Sequence, residues 1–249
     1  MTHPIHVGVG GWTFEPWRGV FYPEGLVQKR ELEYAASKLT SIEINGTYYS
    51  TFKPDSWRKW RDETPAGFVF SVKASRYCTN RKVLSEGGES FDKFLSQGLT
   101  ELGDKLGPIN WQLMGTKKFD PEDFEGFLKL LPKEKDGVRL RHALEVRNPT
   151  FATEQFYDLA RQYGAAIVYA VDDEEPTWPQ IDEATADFTY ARVMSSREDE
   201  PTGMTAAELD AVADQAKNWA KRGEVFAYFI SGAKVRNPAA AQALIGKLK

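Results

Sequence analysis

Apolar residues in this chain follow two alternating rhythms. Short runs of β-branched, aromatic and aliphatic residues occupy 5–9, 41–44, 68–72, 109–114, 143–146, 166–171, 188–194 and 225–230. Each run is bounded by Gly, Pro, Asn or charged residues, the usual punctuation of strands. Between the runs, apolar residues recur at three- and four-residue spacing, the rhythm of a helix with one buried face. Leu32, Ala35, Ala36 and Leu39 form one such stripe, Phe91, Phe94, Leu95 and Leu99 another, and Phe124, Phe127, Leu128 and Leu131 a third. Trp57 and Trp60 stand at i and i+3 in a shorter amphipathic turn. Helix starts are marked as well. Asp120-Pro121 supplies a cap and then a proline, Thr153 opens a helix, and Thr205-Ala206-Ala207-Glu208 reads as a capping box. Asn237-Pro238 repeats the cap-plus-proline start.

Strand and helix thus alternate about eight times in 249 residues. That alternation implies parallel strands joined by crossovers, and its length is that of a TIM-type (β/α)8 barrel of the α/β class. No linker divides the chain, so residues 1–249 are expected to form one domain. The polar stretch 172–183 is expected to be an irregular segment replacing a regular sixth helix. An open doubly wound sheet is the alternative, but its glycine fingerprint fails here. In the run from Gly8 to Thr13, threonine occupies the third glycine's place and Trp12 is too bulky to cradle a pyrophosphate.

Composition narrows the function classes. Hydrophobic residues are 41% and charged residues 27%, ordinary for a globular protein. A net charge of -4 gives no electrostatic reason for strong non-specific binding to nucleic acid or an anionic membrane, so a nucleic-acid partner is not favoured. One cysteine excludes an internal disulfide and a cysteine-cluster metal site, and Cys78 is expected to be a small buried side chain. With three histidines a histidine-rich zinc site is not expected, and no cofactor is implied. Neither a secretory signal nor an apolar run long enough for a membrane span is evident, so the expected location is cytoplasmic.

Candidate chemistry lies where strand alternation points polar residues into a barrel. If Ile42 and Ile44 pack outward, Glu43 and Asn45 face inward. The same logic turns Ser71 and Lys73, Asn110 and Gln112, Glu145 and Arg147, and Tyr190 and Arg192 inward, with Asp172 directly after strand six. These groups gather toward the carboxyl ends of the strands, where barrel enzymes keep their chemistry. Glu43 and Glu145 are the candidate acid–base pair, with Lys73 and Arg147 holding one carboxylate ionised while burial raises the pKa of the other. Two Glu–Lys/Arg ion pairs without chemistry are the plainer reading of the same residues. Trp12 and Tyr48 are candidates to stack on a sugar or base. The segments Ser195-Ser196-Arg197 and Ser231-Gly232-Ala233-Lys234 suit an oxyanion after strands seven and eight.

Several segments resemble the YecE-like family. They are Gly10-Gly11-Trp12, Trp17-Arg18-Gly19-Val20-Phe21-Tyr22-Pro23, Glu43-Ile44-Asn45-Gly46-Thr47-Tyr48-Tyr49, Phe68-Val69-Phe70-Ser71-Val72-Lys73-Ala74, Leu106-Gly107-Pro108 with Gln112, and Glu145-Val146-Arg147. The resemblance covers nearly the whole chain and implies a TIM-type barrel of unassigned activity. Two departures stand out. The family pattern after strand seven has His-Gly, where this chain has Met194-Ser195-Ser196 following Arg192-Val193, and its Phe-Asn-Asn after strand eight is Phe229-Ile230-Ser231 here. If those family residues belong to the site, the resemblance implies altered substrate choice or lost activity.

Three functions compete at this stage. The first is a metal-independent enzyme, of hydrolase type, acting on a small polar or anionic substrate (sugar-like or phosphorylated). It uses Glu43 and Glu145 for acid–base work and Trp12, Asn45, Tyr48, Lys73, Gln112, Arg147, Asp172 and Arg192 for binding. The second is a ligand- or nucleic-acid-binding module without catalysis. The third is a metal-dependent hydrolase akin to endonuclease-type barrels. For that one His3, His6 and His142 lie at the wrong end, and only Glu43, Glu145 and Asp172 could hold a magnesium ion.

Overall fold

In the computed structural model, which describes residues 2–171 and 178–249, eight parallel strands close into a barrel. They are β1 (Ile5–Gly10), β2 (Ser41–Ile44), β3 (Val69–Lys73), β4 (Leu106–Gln112), β5 (His142–Glu145), β6 (Ala166–Val171), β7 (Phe188–Val193) and β8 (Glu224–Phe229). Neighbours in sequence are neighbours in space, and β8 closes on β1 through the register Ile5 to Val225 and Val9 to Phe229. The TIM-type reading is therefore correct.

Helices α1 (Glu31–Lys38), α2 (Pro54–Asp62), α3 (Gly88–Leu95), α4 (Pro121–Lys129), α5 (Glu154–Tyr163), α6 (Ala206–Trp219) and α7 (Asn237–Leu248) cover the outside. The described part of the β6–β7 connection, residues 178–187, contains no helix. A large apolar layer fills the space between sheet and helices, with Trp57, Trp111, Phe91, Phe94 and Phe124 fully buried in it. Trp60 belongs to the same helical turn as Trp57 but is only half-buried and reaches the carboxyl-terminal mouth.

Most local signals act as expected. Asp120 accepts from the amides of Glu122 and Asp123, Thr153 from Phe156, and the Thr205–Glu208 capping box is complete. Asn237 does not cap. It lies inside α7 and donates its amide to the Ser231 carbonyl at 3.2 Å, tying the helix start to the loop after β8. Strand four starts at Leu106 rather than 109. Pro108 within it donates no ladder hydrogen bond, and the β3–β4 register slips between Phe70 and Val72.

The interior divides into layers. At the amino-terminal end Glu224 accepts from His6 at 2.7 Å and from Arg141. In the middle the Tyr228 hydroxyl sits 2.6 Å from both Ser41 Oγ and Ser71 Oγ. Gly8 faces β2 so closely that an added Cβ would lie 1.9 Å from the Ser41 carbonyl oxygen, so no larger residue fits. The top layer carries the charges.

Candidate functional site

The top layer is built from alternate residues of β2, β4, β5 and β7. Glu43, Asn110, Glu145 and Arg192 meet there, each at most 2% exposed. Arg192 spans the barrel. One terminal nitrogen donates to Glu43 Oε1 at 2.9 Å, the other to Glu145 Oε2 at 2.7 Å. Asn110 Nδ2 bridges the same carboxylates, at 3.2 Å to Glu43 Oε2 and 2.8 Å to Glu145 Oε2. Tyr190 donates its hydroxyl to Glu43 Oε2, and Arg147 donates Nε and Nη2 to Glu145 Oε1 at 3.0 and 2.6 Å. Every oxygen of the glutamate pair is thus engaged.

Neighbouring charges shift Glu145, Arg192 and Tyr190. Burial alone would raise the Glu145 pKa, but Arg192, Arg147, Lys73 and the Asn110 hydrogen bond together outweigh it and the carboxyl is lowered. Burial opposes the charge on Arg192, yet Glu145 and Glu43 raise its pKa. Burial and the neighbouring Glu43 carboxylate push the Tyr190 phenol well up, so it stays a donor. The expected raised carboxyl pKa is not found at Glu145, because the surrounding cations and the Asn110 donor together offset its desolvation.

Above this layer opens a cavity of about 550 Å³ at the carboxyl-terminal mouth. Trp12, Tyr48, Tyr49, Phe52 and Trp60 form its aromatic wall, and Asn45 and Thr13 line it too. Among the described residues its charged lining is Lys73, Arg192 and Lys234, with no carboxylate. Arg192 and Arg147 pair with Glu43 and Glu145 in the layer beneath, which leaves Lys73 and Lys234 as the described lining cations without an ion pair. The Lys73 ammonium sits 4.8 Å from the centre of the Tyr48 ring. Burial and then Arg192 lower its pKa, and Glu43 and Glu145 only partly oppose them. Lys234 rests over the Phe14 ring at 4.2 Å, and burial lowers its pKa as well.

Two lining residues carry buried polar atoms without partners, Arg192 Nε and Asn45 Oδ1. Asn110 Oδ1 and Gln112 Oε1 on β4, and the hydroxyls of Ser195 and Ser196 after β7, are unpartnered as well. Such atoms are costly unless something polar meets them. The loops after β7 and β8 are laced together there. Ala233 N donates to Ser196 O at 2.6 Å, and Gly232, at φ +57°, lies so close to that loop that a Cβ would sit 2.5 Å from Ser196 O. Ser231 precedes it at φ +71°, a conformation that costs a non-glycine residue of order 1–3 kcal/mol.

The sequence-derived candidates divide accordingly. Trp12, Asn45, Tyr48, Lys73 and Arg192 line the cavity. Glu43 and Glu145 lie beneath it, beyond contact with solvent. Arg147 is turned to Glu145 and covered by the Trp178 ring at 4.0 Å, and Gln112 is not part of the lining. Asp172 lies outside the described residues. Arg197 is taken by Glu208 at 2.6 Å rather than offered to an anion. Cys78 is buried, its thiol pushed up to about 12 by burial, which makes it inert. Sequence reasoning missed Phe52 and Trp60. The Trp57/Trp60 pair was the available signal, but spacing alone does not tell which ring faces the core. Among the described residues no three His, Cys, Asp or Glu side chains come together as a metal site.

Residues 6–249 match the family model described as "Protein of unknown function DUF72". The chain belongs to this family. The YecE-like resemblance points the same way. This DUF72 chain is 27% identical over 150 residues to the UPF0759 protein YecE of Escherichia coli K12, covering 59% of this chain and 50% of that protein. It thus spans about half the length of the curated relatives it matches. Among solved structures, the DUF72 family protein TM1631 of Thermotoga maritima MSB8 superposes with a TM-score of 0.77, at 24% identity and 98% coverage of each chain. The DUF72 family protein EF0366 of Enterococcus faecalis V583 does so at 0.74, with 18% identity and 99% of each chain. Those likenesses show a shared barrel. In the DUF72 barrel described here, no helix among the described residues is long and apolar enough to cross a membrane.

Proposed function

We propose that the carboxyl-terminal mouth binds a small anionic molecule bearing a sugar-like or otherwise ring-shaped body. One observation carries this reading: among the described residues, three cations and five aromatic rings line the 550 Å³ cavity, and no carboxylate does. Lys73, Lys234 and the unpartnered Nε of Arg192 supply positive charge and donors to a phosphate or carboxylate. Trp12 and Tyr48 offer faces to the ring. The volume falls within the range of small-molecule sites.

In this reading Glu43 and Glu145 act through Arg192, holding it across the barrel. An acid–base role for the pair is a second reading, favoured by the free Arg192 Nε: an anionic guest that draws Arg192 upward loosens its hold on both carboxylates. Turnover that requires Glu145 would support it.

The test is a fluorescence titration, using Trp12 and Trp60 as reporters, with glucose 6-phosphate, glucose and inorganic phosphate. Glucose 6-phosphate is expected to bind at least about tenfold more tightly than either fragment, a difference of about 1.4 kcal/mol. Equal binding of glucose and glucose 6-phosphate overturns the anionic part of the reading.

A further inference from the structure

Lys73 is placed for more than charge. It ends β3 at the cavity wall, and its described contacts give it an aromatic ring on one side and no ion pair. The other cations of this layer are committed: Arg192 to Glu43 and Glu145, Arg147 to Glu145. Glu43 and Glu145 beneath therefore favour the Lys73 ammonium only in part, without an ion pair to it. A lysine that is desolvated, unpaired and beside a guanidinium is the environment in which an amine becomes a nucleophile. Burial and Arg192 push its pKa in the direction this needs.

We propose that Lys73 forms an imine with an aldehyde or ketone that also carries a phosphate or carboxylate, held in the cavity by Lys234 with the unpartnered Nε of Arg192. This rests on the anion-binding reading above and names the substrate class more closely. The neutral amine attacks the carbonyl carbon, forming the N–C bond while the π pair moves to oxygen. Proton transfer from nitrogen to oxygen gives a carbinolamine. Loss of that oxygen as water, taking up one further proton from solvent, gives a protonated imine. Amine, carbonyl compound and one proton yield iminium and water, with no oxidant or reductant consumed. The iminium keeps the positive charge where Lys73 had it, so the field that holds the anion persists.

The experiment is trapping with sodium cyanoborohydride. Dihydroxyacetone phosphate and neutral dihydroxyacetone are each incubated with the full chain near neutral pH, and adducts are mapped by peptide mass spectrometry. The expected result is phosphate-bearing adduct at Lys73 at least tenfold above exposed lysines such as Lys59, suppressed by excess inorganic phosphate and absent in Lys73→Arg. The rate of Lys73 labelling in the wild-type chain is expected to reach half its maximum at a lower pH than that of Lys59, which reads the amine without any variant. Labelling of Lys73 no faster than Lys59 overturns the proposal. If phosphate nevertheless binds the cavity without reductant, the imine fails while the anion-binding reading stands. If neither compound nor phosphate binds, both fail.

Discussion

The Lys73 ammonium lies against the Tyr48 ring, 4.8 Å from its centre, and among its described contacts no carboxylate answers it. Lys73 is only partly buried, and a cation–π contact of this kind recovers about 0.5–2 kcal/mol of the desolvation it bears. Lys73 is thus a cavity-wall charge held at some expense to the fold.

Replacing Lys73 by Met should separate stability from binding. Lys73→Met is expected to stabilise the fold by about 1 kcal/mol, because an apolar chain replaces a partly desolvated charge, while weakening phosphate binding. Because the folded-state pKa of Lys73 is lowered, the unfolded chain binds the proton more readily. The penalty is fully present at low pH and is relieved as pH rises toward 10.5. Urea denaturation of both proteins across alkaline pH checks this: the gap between them should shrink as pH rises.

Arg192 should be the least replaceable charge in the barrel. Arg192→Met leaves Glu43 and Glu145 buried without their shared partner, and breaking a buried pair in this way costs about 3–5 kcal/mol. Adding Glu43→Gln and Glu145→Gln to the same chain should recover most of the loss, measured by denaturant midpoints. Loss of the full amount in both variants would show that packing, not charge, is what Arg192 supplies.

A third prediction concerns acid sensitivity. Trp111 donates its indole N–H to His142 Nδ1 at 3.0 Å, and His142 Nε2 lies 2.8 Å from the Pro132 carbonyl oxygen. The neutral ring with its proton on Nε2 satisfies both partners, and a second proton would face the indole N–H. Burial lowers the His142 pKa to about 4. The stabilisation is complete above 6.5 and is lost as pH falls from 6.5 toward 4, about 3 kcal/mol in all. An NMR titration of the His142 ring should show its midpoint near 4, and a midpoint near 6.5 contradicts the burial argument.

Much of this architecture was legible in the order of residues. Alternation within β2, β5 and β7 placed Glu43, Glu145 and Arg192 on the inner face, and their mutual hydrogen bonds show that it did so correctly. Alternation fixes a face but not a partner. It paired Lys73 with a carboxylate, whereas Arg192 reaches both glutamates first because its long planar fork spans β2 to β5. The Asn237-Pro238 pair shows the same limit. Its local spacing is that of a helix cap, yet Asn237 serves the Ser231 carbonyl because the β7 and β8 loops pack together there. Such long-range packing leaves no periodic trace in sequence.

Where the anion binds decides the account. A ¹H–¹⁵N NMR titration with phenyl phosphate reads that location residue by residue. The expected shifts concentrate at residues 10–13, 45–48, 73 and 230–234, around the carboxyl-terminal mouth. Shifts confined to the 240 Å³ apolar cavity beneath α6, at Met204, Val212 and Trp219, or no saturable shift at all, would contradict it.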